Sequence, residues 1–181
     1  GWVRPTDQNG DGVISAISVD HGAYDAAGFV DGLLGVGRAT DVRAFQAQTR
    51  RFLGGGLFSA AGDDQGDVLY SSYQAMPCRS YLERDEQGRW TPGSSPMALL
   101  DGRRYKGFTL PSDEQGFADE SSFDPSGAHA DPYRCLIPAD QMPEALNPPE
   151  GFVVTANNEP LPFGRDGRFD ADPWYMGGPW N

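Results

Sequence analysis

Positive charge is scarce in this 181-residue sequence, and lysine is almost absent. The 14 Lys and Arg residues face 26 Asp and Glu residues, so the net charge is -12 and the isoelectric point is near 4.4. A surface of that sign repels the phosphates of nucleic acids and the head groups of anionic membranes. The composition therefore argues against nucleic acid and against acidic membrane surfaces as partners.

Long hydrophobic segments are also missing. No apolar run reaches the roughly 18 residues that cross a bilayer, and no charged-then-apolar leader begins the sequence. The length fits one domain, or a large part of one. Because the sequence starts at Gly1 without an initiator Met, we expect a processed or excised piece of a longer protein.

Cysteine occurs only twice, as Cys78 and Cys135, and the two residues bracket the most irregular part of the sequence. A disulfide between them would close a loop that is poor in core residues and would restrict the unfolded chain. The alternative is two free buried thiols, which behave as small apolar side chains. We favour the disulfide, which would indicate an oxidising compartment.

Glycine (24 residues) and proline (15 residues) are abundant, and they predict long irregular stretches. We interpret residues 80–134 as an irregular insertion into a core formed by residues 1–79 and 135–181. Within it, residues 104–110 are a weak strand candidate and residues 112–122 read as an exposed acidic loop. A loop of that length in a compact domain is usually functional or flexible.

The first turn has the start of an EF-hand calcium loop. Its oxygen-bearing residues at alternate positions are Asp7, Asn9 and Asp11, and Gly12 follows them. However, Ser18 stands where a bidentate Glu belongs, and too few residues precede the loop for an entering helix. The alternative is a hairpin turn, because Asn-Gly and Asp-Gly favour hairpins and residues 13–19 alternate as a strand does.

Residues 21–53 are predicted to be helical. The segment after residue 40 has one apolar face, formed by Val42, Phe45, Thr49 and Phe52. Thr40 or Asp41 suits its N-cap, and the glycines at 54–56 would end it. Residues 57–61 and 68–73 then form a predicted hairpin, whose acidic turn we interpret as a solvated tip and not as a metal site.

Familiar catalytic patterns do not occur in this sequence. His21 and His129 lack the spacing of zinc ligands, and we interpret both as ordinary loop residues. There is neither a Gly-x-Ser-x-Gly elbow nor a phosphate-binding loop that ends in Lys-Ser or Lys-Thr. The abundant carboxylates single out no acid and base pair.

The polar groups that most strongly indicate a functional site are Asn157 and Asn158, which follow the apolar run at residues 152–154. That run predicts a strand, and the Pro-Pro-Glu-Gly before it predicts a turn. An amide N–H at a rigid strand end can stabilise the oxyanion that forms during acyl transfer. The alternative is that both asparagines cap the strand and form the next turn.

Four stretches occur together in a fixed order. They are LLGVGRATDVRAF (33–45), GDDQGDVLYSSYQAMPCR (62–79), NPPEGFVVTANNEP (147–160) and DPWYMGG (172–178). In this order they resemble the penicillin acylase (penicillin amidase) family of N-terminal nucleophile (Ntn) hydrolases. The resemblance covers most of the chain outside residues 80–134. It departs at Gly62, where Ala is usual, and at Asp67, where Asn is usual, and both changes suit a turn.

The resemblance implies a mechanism and site residues. Such a precursor is cut autocatalytically, and the freed N-terminal Ser, Cys or Thr of the large subunit acts as nucleophile with its own amine as base. Gly1 has neither a hydroxyl nor a thiol, so the nucleophile is expected upstream. The resemblance implies that Asn157 is an oxyanion-hole residue and that Leu57 lines the acyl pocket. It requires no cofactor, and it places a structural calcium near Asp172, or Asp170, in some members.

These observations predict an α+β fold that forms part of an Ntn-hydrolase α/β sandwich. We expect an antiparallel sheet that carries the asparagine strand and the hairpin, with one or two helices on a face. The expected partners are the rest of the large subunit, the small subunit and a small acyl amide, in a periplasmic or secreted enzyme. This piece alone would be inactive, and its open sheet edges could pair with another copy. The alternative is a secreted calcium-binding interaction module built on the loop from Asp7 to Ser15.

Overall fold

The computed structural model of the protein describes residues 3–6, 10–12, 15–22, 28–55, 57–96 and 98–155. Within these ranges the chain forms two helices and two antiparallel sheets, and the predicted α+β fold is confirmed. The elements in chain order are β1 (Val3–Thr6), β2 (Ser15–Ser18), α1 (Phe29–Val36), α2 (Val42–Thr49), β3 (Ser59–Gly62), β4 (Val68–Ser71) and β5 (Glu144–Leu146). In this described part, neither helix has the length and hydrophobicity that a membrane crossing requires.

The first sheet is the hairpin of β1 and β2, whose register pairs Val3 with Ser18 and Thr6 with Ser15. The hairpin interpretation of the first turn is therefore confirmed. Gly10 and Gly12 have φ angles of 71° and 81°, which a residue with a Cβ rarely adopts. Asp11 is exposed, whereas Asp7 and Asn9 lie outside the described residues, so the calcium site stays a prediction.

Helix α2 begins at the predicted cap. The Asp41 carboxylate accepts a hydrogen bond of 2.8 Å from the Ala44 N–H, and this bond holds the pKa of Asp41 below its ordinary value. The helix ends at Thr49, several residues before the glycines that were predicted to end it. A tighter turn replaces the last helical turn, because the Phe52 N–H donates to the Thr49 carbonyl at 2.9 Å. The turn directs Phe52 into the core, where it is 1% exposed.

The second sheet has the order β3-β4-β5. The predicted hairpin is confirmed, with Gly62 opposite Val68 and Ser59 opposite Ser71. The strand predicted at residues 152–154 is wrong, because residues 152–155 belong to no strand and Phe152 is 63% exposed. The third strand is instead β5, which lies directly before Asn147 and pairs Ser71 with Glu144.

The turn of the β3–β4 hairpin occurs three times in the structure, at residues 63–67, 85–89 and 113–117. In each copy the carboxylate of the first Asp accepts the N–H groups of the third and fifth residues. The fourth residue is a glycine with a φ between 78° and 88°. The shared sequence Asp-(Asp/Glu)-Gln-Gly could have revealed this repeat, which the sequence reasoning missed. These carboxylates cap backbone N–H groups, as the solvated-tip interpretation requires.

Residues 80–134 contain no helix or named strand where the structure describes them, but they are packed against the core. Leu110 is 4% exposed and joins Leu53, Ala75 and Leu136 in one buried cluster. The strand candidate at 104–110 is wrong, because its N–H groups find separate partners: that of Phe108 donates to the Asp20 carboxylate at 2.6 Å.

The acidic segment 112–122 is also less exposed than predicted. Its Ala118 N–H donates to the Arg50 carbonyl at 2.9 Å. The Arg51 guanidinium lies 4.2 Å above the centre of the Phe117 ring. Gly116 is buried, and its carbonyl oxygen would lie 2.7 Å from a Cβ added at Gly28. This segment therefore contacts the residue that precedes α1 and the two residues that follow α2.

Candidate functional site

Asn147 anchors the segment that leads to the asparagine pair. Its backbone N–H donates to the Val68 carbonyl at 2.9 Å, and its side-chain Oδ1 accepts the Val68 N–H at 2.9 Å. The amide Nδ2 donates to Asp67 at 2.8 Å. The side-chain oxygen thus takes the place of a backbone carbonyl opposite Val68 and extends the β4–β5 pairing by one position.

The same residue turns the chain away from the sheet. Asn147 has a φ of 50°, which asparagine tolerates better than most residues. The turn that follows is closed by the Gly151 N–H, which donates to the Pro148 carbonyl at 2.9 Å. Residues 152–155 then run along the surface with Phe152 and Val154 exposed. Asn157, Asn158 and Asp172 lie outside the described residues.

Leu57, the predicted acyl-pocket residue, lies just before β3 and is 50% exposed. Next to it in the chain, Gly54 and Gly55 border a cleft of about 440 Å³. The walls of this cleft combine apolar side chains with a few polar ones, including Leu53, Gln74, Met76, Arg79 and Phe108. A cavity with this lining suits an organic group that is mostly apolar. Leu57 is not among its lining residues.

A polar network centred on Glu144 joins α2 to the second sheet. Both carboxylate oxygens of Glu144 accept hydrogen bonds from the Arg50 guanidinium, at 3.2 and 3.0 Å. Glu144 also accepts from Gln46 at 2.9 Å and from the Ser71 hydroxyl at 2.7 Å. The carboxylate, which belongs to β5, accepts hydrogen bonds from the C-terminal end of α2 and from β4, so it fixes the end of the helix against both strands.

Two further titratable groups border this network. The Arg50 guanidinium lies 4.4 Å from the centre of the Tyr73 ring. Burial raises the pKa of Tyr73, whose hydroxyl has no hydrogen-bond partner among the described residues. Burial also raises the pKa of Glu120, although its carboxylate accepts the Ala139 N–H at 2.9 Å.

Of the predicted site residues, the structure brings one pair together. Cys78 and Cys135 form a disulfide, with a Cα–Cα distance of 5.4 Å, and the predicted bridge is confirmed. The disulfide lies beside His129, which was interpreted as an ordinary loop residue. His129 is only 9% exposed and lies beside the disulfide, with a ring nitrogen within 4.8 Å of both sulfur atoms. The sequence carried no signal for this, because His129 lies 51 positions after Cys78.

These residues build two helices and a small antiparallel sheet. The Asn147 side chain anchors the segment that leaves the end of this sheet. A sequence model of one family, penicillin amidase, matches residues 8–178. The match spans nearly the whole chain, and the chain belongs to the penicillin amidase family. No curated protein matches the chain in a direct sequence comparison.

Proposed function

We propose that this chain is part of an amide hydrolase that works through an N-terminal nucleophile and an acyl-enzyme. The observation that carries the proposal is the family match over residues 8–178, which includes the asparagine segment. The Asn147 anchor supports it, because a residue that donates an oxyanion hydrogen bond must be held in place by its surroundings.

In the proposed reaction, an upstream Ser, Cys or Thr attacks the carbonyl carbon of an acyl amide, and its own α-amine accepts the proton. The carbonyl oxygen becomes an oxyanion, which the side-chain N–H of Asn157 stabilises. As this intermediate collapses, the α-ammonium gives its proton to the leaving amine, and the acyl group stays on the nucleophile. Water then attacks the acyl-enzyme carbonyl while the α-amine accepts a proton from it. The second intermediate collapses, the acid leaves, and the proton returns to the oxygen or sulfur of the nucleophile.

The proposed substrate is a small acyl amide, such as the side-chain amide of a β-lactam or an acyl-homoserine lactone. Leu57 is proposed to contact the acyl group, and the neighbouring 440 Å³ cleft offers apolar side chains such as Leu53 and Phe108 beside polar ones. The proposed setting is periplasmic or secreted, with the rest of the large subunit and a small subunit as partners. A calcium ion near Asp172, or at the first turn, is a separate structural proposal that calorimetry with Ca²⁺ tests.

The test is to express the complete gene product and determine the N-terminus of the subunit that contains this chain. The proposal expects a processing junction followed by Ser, Cys or Thr, and replacement of that residue by Ala should block both processing and amide hydrolysis. The isolated 181-residue chain should hydrolyse no acyl amide. A subunit that starts with any other residue, yet is active, would contradict the mechanism.

A further inference from the structure

His129 has a hydrogen-bond donor that is not used elsewhere in the described structure. The Asp124 N–H donates to Nδ1 of His129 at 2.9 Å. A neutral imidazole that accepts at Nδ1 carries its proton at Nε2. Burial lowers the pKa of His129, with the Asp124 carboxylate opposing this effect, which favours the neutral ring. Its Nε2 is fully buried without a hydrogen-bond partner, in a ring that lies against the disulfide.

The two cysteines of the disulfide differ in exposure. Cys78 is 7% exposed and lines a cleft of about 300 Å³, together with His129, whereas Cys135 is 1% exposed and does not line it. An incoming group therefore reaches Cys78 first. Thiol–disulfide exchange needs a nucleophile in line with the bond that breaks, so the accessible sulfur decides which cysteine leaves.

Two arginines, Arg79 and Arg84, line the cleft. Glu83, which also lines it, forms an ion pair with Arg104. Nearby arginines favour the thiolate form of a thiol, which is the form that attacks a disulfide. The whole chain is acidic, with a net charge of -12, so two arginines at one cleft are a distinct feature.

We propose that the Cys78–Cys135 disulfide is a thiol–disulfide exchange site for a small anionic thiol that enters this cleft. The thiolate of the small molecule forms a new S–S bond with Cys78. The old S–S bond breaks, and its electron pair goes to the sulfur of Cys135. The Nε2–H of His129 then donates a hydrogen bond to the Cys135 thiolate. A second thiol molecule attacks the mixed disulfide, so the small thiol is oxidised and both cysteines are reduced.

A metal site is the other way to use these three side chains, and the hydrogen bonding disfavours it. A metal ion on Nε2 would require the ring proton at Nδ1, which faces the Asp124 N–H donor. The sulfur atoms are joined in a disulfide and offer no thiolate ligand. The geometry therefore fits a hydrogen-bond donor to sulfur better than a metal ligand.

The experiment exposes the oxidised protein to glutathione, a tripeptide thiol with two carboxylates, and stops the reaction with acid. The free thiols are then alkylated, and mass mapping locates the adduct. The expected result is glutathione on Cys78 and the alkyl group on Cys135. This measurement requires no variant. Glutathione found mainly on Cys135, or no adduct while an unstructured disulfide peptide reacts, would overturn the proposal.

Two variants test the role of His129. His129→Asn retains an acceptor for the Asp124 N–H but has no donor at the Nε2 position, whereas His129→Gln places an amide N–H near that position. We expect exchange in His129→Asn to be about tenfold slower, as for loss of one hydrogen bond to a charged group, and His129→Gln to lie near the parent rate. Equal rates in all three proteins, or equal slowing in both variants, would contradict the assigned donor.

A third variant tests the charge of the cleft. Arg84→Gln should slow the reaction with glutathione more than the reaction with cysteamine. Cysteamine carries an ammonium group and has no carboxylate that Arg84 could attract. An identical effect on both thiols would contradict the assignment of an anionic thiol.

Discussion

The backbone N–H of Val68 and the side-chain oxygen of Asn147 are joined by a hydrogen bond of 2.9 Å, across 79 positions of sequence. The backbone N–H of Asn147 returns a bond of 2.9 Å to the Val68 carbonyl. A side chain thus closes the β-ladder at the point where the chain leaves the sheet. Because no further strand pairing fixes residues 152–155, this contact is the last described sheet contact before the asparagine pair.

Substitutions at Asn147 separate the two properties of this residue. Asn147→Gly retains access to the φ of 50° but loses both side-chain hydrogen bonds, so it should cost about 1 kcal/mol of unfolding free energy. Asn147→Ala loses the same bonds and adds the strain of a left-handed backbone, so its cost should be about 2 kcal/mol. Urea denaturation of both variants measures the difference. If Ala is tolerated as well as Gly, the backbone contributes nothing at this position.

Asn147→Asp tests the contact with Asp67 in the same way. The new carboxylate still accepts the Val68 N–H. However, it lies against the Asp67 oxygen that, in the parent protein, accepts a 2.8 Å hydrogen bond from the Asn147 amide. We expect a loss of stability that increases at low salt and that Asp67→Asn relieves. A salt-independent loss would show that the two side chains do not interact in solution.

The Arg50–Glu144 pair predicts a strong coupling between α2 and β5. The two side chains are only 22% and 14% exposed, and the distance of closest approach is 3.0 Å. A double-mutant cycle with Arg50→Met and Glu144→Gln should give a coupling energy of about 1–3 kcal/mol. The loss of unfolding free energy in the double variant should be smaller than the sum of the losses in the two single variants. Additive effects would mean that the ion pair makes no net contribution.

Glu120 predicts a pH-dependent stability. Burial raises its pKa above the ordinary value of 4.5, so the folded state holds this proton more tightly than the unfolded state. Stability from this group is therefore fully present below pH 4.5 and is lost as pH rises through the folded pKa. Glu120→Gln retains an acceptor for the Ala139 N–H without the charge.

We therefore expect Glu120→Gln to be more stable than the parent at pH 7, with an advantage that declines as the pH falls towards 4.5. Thermal unfolding over this pH range measures both curves. An advantage that stays constant across the range would show that ionisation of Glu120 is not its cause.

Two glycines allow backbone strain to be separated from steric contact. Gly28 and Gly66 have φ angles of 81° and 88°, so an Ala at either position is strained. A Cβ at Gly66 would meet nothing within 4 Å, whereas one at Gly28 would lie 2.7 Å from the Gly116 carbonyl oxygen. Gly66→Ala should cost about 1 kcal/mol, and Gly28→Ala should cost clearly more. Equal unfolding free energies of the two variants would show that residue 28, which precedes α1, does not pack closely against Gly116.

Local chemistry explains which parts of the fold could be predicted from the sequence. The Asp41 cap, the β3–β4 hairpin and the first hairpin depend on neighbouring residues, and all three are confirmed. The position of β5 could not be predicted in this way. Its sequence, Glu-Ala-Leu, has no strand pattern, and it is a strand because Glu144 meets Ser71 and Arg50, residues more than 70 positions away.

The same distinction between local and long-range determinants applies to the candidate site. The disulfide could be predicted because the sequence offers only one pair of cysteines. The burial of His129 beside it depends on how residues 124–135 fold back onto Cys78, which no local pattern records. Family membership covers the asparagine segment, and the roles of Asn157 and Leu57 follow from the resemblance and stay predictions.

The most direct test of the proposed function is the turnover number of the complete, processed enzyme that carries Asn157→Ala. Loss of one oxyanion donor should lower kcat by about two to three orders of magnitude. Asn158→Ala, one residue further, is the matched control and should have a much smaller effect. A kcat that is unchanged in Asn157→Ala, in a protein that still processes itself and folds, would remove Asn157 from the reaction and contradict the account.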